Sequence, residues 1–128
     1  MFTAQAAFSG CSVDDLQKAK QFYTHTLGLE LEDETMGLRL QLPGGGKLFI
    51  YPKPDHQPAS YTMLNFVVDD IDTAVDELVN AGVTFERYDN MPGKQDDKGI
   101  LRGRSAGQGP DIAWFKDPAG NILSVLQN

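Results

Sequence analysis

The sequence predicts an α+β fold made of two βαβββ modules, and three observations predict it. A short pattern occurs twice, 55 residues apart: Val13-Asp14-Asp15-Leu16 with Ala19 and Gly28-Leu29, then Val68-Asp69-Asp70-Ile71 with Ala74 and Gly82-Val83. In each copy an apolar strand passes through an acidic cap into an amphipathic helix that leaves by glycine into another strand. Strand-like runs joined by strong turn sequences then follow each helix. A repeat seen only twice reads as a duplicated supersecondary module, because a solenoid needs at least about three stacked units. Two like modules can enclose a concave site, and what lines that concavity becomes the functional question.

Each element has its own justification. Ala6 to Val13 reads as a strand. Asp14 is placed to cap a helix with Gln17 three residues on, near a capping box. Leu16, Ala19, Phe22, Tyr23 and Leu27 fall at helical spacing, and Gly28 stands at the C′ position. Leu29 to Leu31 begins a strand, and Glu32-Asp33-Glu34 reads as an acidic turn. Leu38 to Leu42 alternates at period two and meets Pro43-Gly44-Gly45-Gly46, a hairpin signal, with Lys47 to Tyr51 as the return strand. The first module thus spans about residues 1–52. Three prolines between Pro52 and Ser60 mark a linker over 53–60.

The second module spans about 61–128. Thr62 to Val68 is its first strand, and Asp69 or Asp70 caps a helix with Ile71, Ala74, Val75 and Leu78 on its buried stripe, closed by Gly82. Val83 to Tyr88 reads as a strand. Asp89 to Pro110 carries five glycines and no clear period; a loop of that length in a compact domain is usually functional or mobile. Asp111 to Lys116 and Asn121 to Leu126 are strands joined by the turn Asp117-Pro118-Ala119-Gly120.

Composition narrows the function classes. The 128 residues fit one domain with a real core, at 41% hydrophobic and 23% charged. A net charge of −7 argues against binding a nucleic-acid backbone, which calls for clustered Lys and Arg. The single cysteine, Cys11, rules out an intrachain disulfide and fits a cytoplasmic protein. MFTAQAAFSG carries no basic n-region and no sustained apolar stretch, so no signal peptide is expected, and no apolar run is long enough to span a membrane.

Two separated motifs then carry a family resemblance. Asp15-Leu16, Ala19, Phe22-Tyr23 and Leu27-Gly28-Leu29, together with Phe115-Lys116-Asp117-Pro118-Ala119-Gly120-Asn121, resemble the vicinal oxygen chelate superfamily. That group includes glyoxalase I, extradiol dioxygenases, fosfomycin-modifying enzymes and bleomycin-binding resistance proteins. The resemblance covers nearly the whole chain and implies a cupped, eight-stranded mixed sheet with helices on its outer face. It also implies a homodimer, since members this short usually dimerise. It does not specify an activity, because one scaffold hosts unrelated chemistries.

The resemblance further implies where metal ligands would stand. The first-strand histidine position corresponds to Phe8, its equivalent in the second module to Met63, and the last-strand glutamate position to Ser124. The remaining position falls at Phe49 or Tyr51. Phenylalanine has no donor atom, and a thioether is a soft ligand that hard cations avoid. The usual metal site is therefore expected to be absent, with no cofactor. His25 lies near the end of the first helix and His56 in the linker, and neither is placed to supply a metal site. Cys11 falls on the opposite strand face from Phe8 and reads as a small core residue. Ser124 has no histidine placed to activate it and reads as a group that orients a ligand.

Phe8, Phe49, Tyr51, Met63, Trp114 and Ser124 remain as a mostly apolar lining, which suits a small organic ligand. Arg102, in the long loop, is a candidate clamp for an anionic group. The leading expectation is metal-independent binding of a small organic molecule, aromatic or antibiotic-like. The alternative is an enzyme of glyoxalase-type lyase or isomerase class, or a dioxygenase, using a non-standard site. A third reading is a filled cup with structural use alone.

Overall fold

The computed structural model describes residues 1–128. They divide into two compact units, Met1–Gln57 and Pro58–Asn128, and the boundary falls inside the proline-rich stretch. The first unit contains β1 (Ser9–Val13), α1 (Leu16–Gln21, continued by a π-helical turn over Phe22–Thr26), β2 (Leu31–Glu34), β3 (Gly37–Gln41) and β4 (Lys47–Pro52). The second contains β5 (Thr62–Val67), α2 (Ile71–Asn80), β6 (Leu101–Arg102), β7 (Asp111–Lys116) and β8 (Ile122–Gln127).

Each unit holds one four-stranded mixed sheet, ordered β1-β4-β3-β2 in the first and β5-β8-β7-β6 in the second. The first strand of each unit lies parallel to its last, β1 on β4 and β5 on β8, while the other neighbours are antiparallel. The same strand permutation in both units is the duplication expressed as topology. The fold is α+β, with two βαβββ-like modules.

The repeat also fixes the helix starts. The N-cap of α1 is Asp15, whose carboxylate accepts from Lys18 N at 3.1 Å, and that of α2 is Asp70, which accepts from Thr73 N at 3.2 Å. The Asp14 cap expected from the sequence is thus one residue early. At both exits glycine takes a left-handed conformation, φ +70° at Gly28 and +100° at Gly82, which satisfies the last carbonyls without a Cβ clash. The final turn of α1 widens, so that Leu27 N donates to Phe22 O five residues back.

Period two sorts the sheet faces. In the first unit Leu38, Leu40, Leu48 and Ile50 are buried, with α1 packed on β4, while Arg39, Phe49 and Tyr51 occupy the other face and stay half-exposed. Cys11 sits level with Ile50, on the face opposite Phe49. In the second unit Ala113, Phe115, Leu123 and Val125 are buried beneath α2, and Ile112 and Trp114 point to the other face.

Three sequence expectations are corrected. First, β1 begins at Ser9 rather than Ala6, because its pairing with β4 starts at Ser9 opposite Leu48. Second, Glu32-Asp33-Glu34 is strand, not turn. Arg39 across the ladder pairs with Glu32 at 4.0 Å and with Glu34, and Lys20 of α1 holds Asp33 at 3.0 Å. Opposite charges directly across a ladder stabilise it, so the acidic run is tolerated in a strand.

Third, Val83–Tyr88 forms no regular strand. It touches β7 through one bridge, Phe85 to Phe115, and through Glu86 N donating to Trp114 O at 2.8 Å. Beyond that the side-chain amide of Gln95 replaces a strand partner. Its Oε1 accepts from Tyr88 N at 2.7 Å, and its Nε2 donates to Glu86 O at 2.9 Å and Gly99 O at 2.8 Å. The fourth strand of this sheet is instead the short β6.

Candidate ligand-binding clefts

In the first unit a cavity of about 620 Å³ opens on the face that carries Phe49. Phe8 and Phe49 contribute ring faces and Met36 a thioether, while Arg39 and Lys47 supply cationic groups. Phe8 is 72% exposed, so it is a surface wall rather than core. Tyr51 does not line this cavity; its ring stacks on Phe49 at 5.9 Å between centroids.

In the second unit two cavities share a wall. The larger, about 680 Å³, lies between the long loop and β7, with Leu101, Arg102, Ile112 and Trp114 among its lining. The smaller, about 260 Å³, is bounded by Tyr61, Thr62, Tyr88, Met91, Trp114 and Ile122, with Ser60. Trp114 and Met91 line both, so the two cavities adjoin at the indole, the larger also carrying the polar side chains of Lys94, Arg102 and Gln108. The indole is fixed: its Nε1 donates to Thr62 Oγ1 at 3.0 Å, and Tyr88 meets it edge-on at 5.7 Å. A volume of several hundred Å³ with aromatic walls suits a small organic ligand.

The Tyr88 hydroxyl is buried and has no hydrogen-bond partner in the protein, a state that costs about 1–3 kcal/mol. Burial, assisted by the Glu86 carboxylate, raises its pKa above the ordinary phenol value, so it keeps its proton at neutral pH.

Arg102 lines the larger cavity, but its guanidinium already serves three carboxylates. It contacts Asp72 at 2.8 Å, Asp96 at 2.9 Å and Asp111 at 3.7 Å. The Arg102 hydrogen bonds draw Asp72 down to about 2. Burial alone would raise Asp96, yet hydrogen bonds from Ile100 N, Arg102 and Lys98 N outweigh it and hold the carboxyl below its usual value. The loop that carries these groups is therefore a pinned wall, reinforced by Arg87, which donates to the carbonyls of Asp96 and Asp97.

The remaining sequence candidates stand apart from the cavities. Met63 lies in a bulge between Thr62 and Leu64 and lines none of the three. Ser124 is fully buried and donates to Asn65 Oδ1, so its hydroxyl is committed within the sheet. His56 Nδ1 lies 2.6 Å from Ser12 Oγ and ties the linker to β1, and His25 contacts Gln21 at the same distance. No three His, Cys, Asp or Glu side chains gather where they would hold a metal ion. Phe8, Met63 and Ser124 do not fit the cation that the resemblance associates with their positions. No helix is long and apolar enough to cross a membrane.

Sequence reasoning missed Tyr88, Met91 and Gln95. Tyr88 ends a stretch that alternates like a strand, which says nothing of a site, and Met91 and Gln95 fall in the loop without periodicity, where no spacing links them to Trp114 or Tyr88.

A doubled βαβββ chain defines a fold class, and comparison with known proteins gives that class its name. The chain belongs to the Glyoxalase/Bleomycin resistance protein/Dioxygenase superfamily, whose family model matches residues 8–125. No curated protein matches it. Among solved structures, TnmS3, an antibiotic binding protein from Streptomyces sp. CB03234, is 27% identical with a TM-score of 0.62, covering 98% of each chain. A superfamily member from Sphaerobacter thermophilus is 25% identical with a TM-score of 0.64, covering 96% of this chain and 98% of its own. The fosfomycin resistance protein FosX from Listeria monocytogenes shares the fold at 13% identity and a TM-score of 0.69, over 99% and 95% of the two chains.

Proposed function

We propose that this protein binds a small, largely apolar organic molecule in the second-unit cleft, without the divalent cation used by the superfamily's enzymes. The reading rests on one observation above all: Trp114, held by Thr62, is the common wall of two adjoining cavities. The donor-poor residues Phe8, Met63 and Ser124 support metal independence, the likeness to an antibiotic binding protein supports an antibiotic-like ligand, and the aromatic side chains of Trp114 and Tyr88 suit one that contains a ring. The protein acts in this reading as a homodimer, by sequestering its ligand rather than transforming it.

The test is thermal. A panel of planar aromatic antibiotics is added to protein dialysed against chelator, and the melting temperature is followed. A ligand present at 100 times its dissociation constant stabilises the fold by about 2.7 kcal/mol. The expected result is a concentration-dependent rise for a subset of the panel, retained in chelator and lost in Trp114→Ala. A rise that appears only with added divalent cation overturns metal independence, and a rise unaffected by Trp114→Ala overturns the cleft.

A further inference from the structure

Tyr88 stands out among the cleft residues because its hydroxyl is sealed from solvent and has no protein partner, while its ring forms part of the smaller cavity's wall. Its position is held from several sides. Tyr88 N donates to Gln95 Oε1 at 2.7 Å, Glu86 N donates to Trp114 O at 2.8 Å, and the ring meets Trp114 edge-on at 5.7 Å. The neighbouring Trp114 donor is already committed to Thr62 Oγ1. The hydroxyl is therefore a rigid, protonated donor, desolvated before any ligand arrives and set behind the wall to which its residue belongs.

We propose that the Tyr88 hydroxyl is the specificity-determining donor of this cleft, selecting ring-containing ligands that carry a carbonyl or similar oxygen acceptor. In this proposal a ligand seated on the Tyr88 and Trp114 rings brings its acceptor to the hydroxyl, which requires the closed wall around that hydroxyl to open on binding. A donor without competing water contributes its hydrogen bond with little loss, whereas an isosteric ligand without the oxygen leaves the hydroxyl unsatisfied. The inference rests on the cleft being the ligand site, and it adds the polar group that the ligand presents there.

The test uses a matched pair of probes, 2-acetylnaphthalene and 2-isopropenylnaphthalene, which differ chiefly in carbonyl oxygen against methylene. Binding is read from the emission of Trp114, the chain's one tryptophan, and checked by calorimetry. In the native protein the ketone is expected to bind about tenfold more tightly, the equivalent of one net hydrogen bond. In Tyr88→Phe that preference is expected to vanish through weaker ketone binding alone, with a melting temperature equal to or above that of the native protein. Equal affinity of the two probes for the native protein, or a preference that survives in Tyr88→Phe, overturns the role of Tyr88 and leaves the cleft standing. Failure of both probes to bind overturns the cleft and the inference together.

Discussion

Arg102 draws together α2, the long loop and β7 through Asp72, Asp96 and Asp111. These partners lie 30, 6 and 9 residues away in sequence, so no local pattern distinguishes this arginine from a ligand clamp. The network has a pH signature with a definite sign. The Asp72 pKa is depressed from 3.8 to about 2, so its contribution to stability is full above the unfolded value and is lost as pH falls through about 2. Asp96 is displaced the same way, and Lys98 pairs with Asp72 at 3.4 Å and Asp76 at 3.1 Å. Between pH 4 and pH 2 the native melting temperature should fall more steeply than that of Asp72→Asn, which lacks this titration. Melting curves at several pH values in that window decide the point; parallel slopes for the two proteins refute the coupling. The side chains are substantially exposed, so the effect should shrink in high salt.

At the level of elements, the sequence exposes whatever repeats or alternates and hides whatever a side chain improvises. The repeat placed both helices and both glycine exits, and the hairpin signal placed β3 and β4. The acidic β2 was hidden because Arg39 and Lys20, which neutralise it, act across space. The segment after Gly82 looked like a strand because Val83, Phe85 and their neighbours alternate, yet its continuation is held by one glutamine amide. Gln95→Leu tests that assignment. Removing three hydrogen bonds from a half-buried position should lower stability by about 1–3 kcal/mol. Amide exchange at Tyr88 should accelerate sharply, whereas Ala113 and Val125, in the β7–β8 ladder, should keep their protection. Unchanged protection at Tyr88 would show that the segment is held by packing instead. The same clip explains why Tyr88 was illegible as a site residue: its placement depends on a partner seven residues away that no strand or helix period connects to it.

For the whole molecule, charge and exposed apolar surface pull in opposite directions. Each chain carries a net charge of −7, so association of two copies doubles an already repulsive field. Against this, Phe8 in the first unit and Tyr61 and Val67 in the second are each at least 67% exposed. Val67 lies on β5, an edge strand of its sheet, and Phe8 immediately precedes β1, the edge strand of the other. Edge strands with apolar exposure are surfaces that proteins cover. If these side chains form the interface of the homodimer proposed above, burial of apolar area holds it together and electrostatics oppose it. Native mass spectrometry at micromolar concentration should therefore give twice the 14.1 kDa chain mass. Raising the ionic strength should strengthen the dimer by screening its repulsion, the reverse of an assembly held by ion pairs. The double variant Phe8→Asp, Val67→Asp adds charge at both surfaces and should sediment as a folded monomer, with its far-ultraviolet circular dichroism unchanged. A native protein that is monomeric at every salt concentration removes the dimer from the account. A dimer that dissociates as salt rises places its interface on charged surface instead of at these side chains.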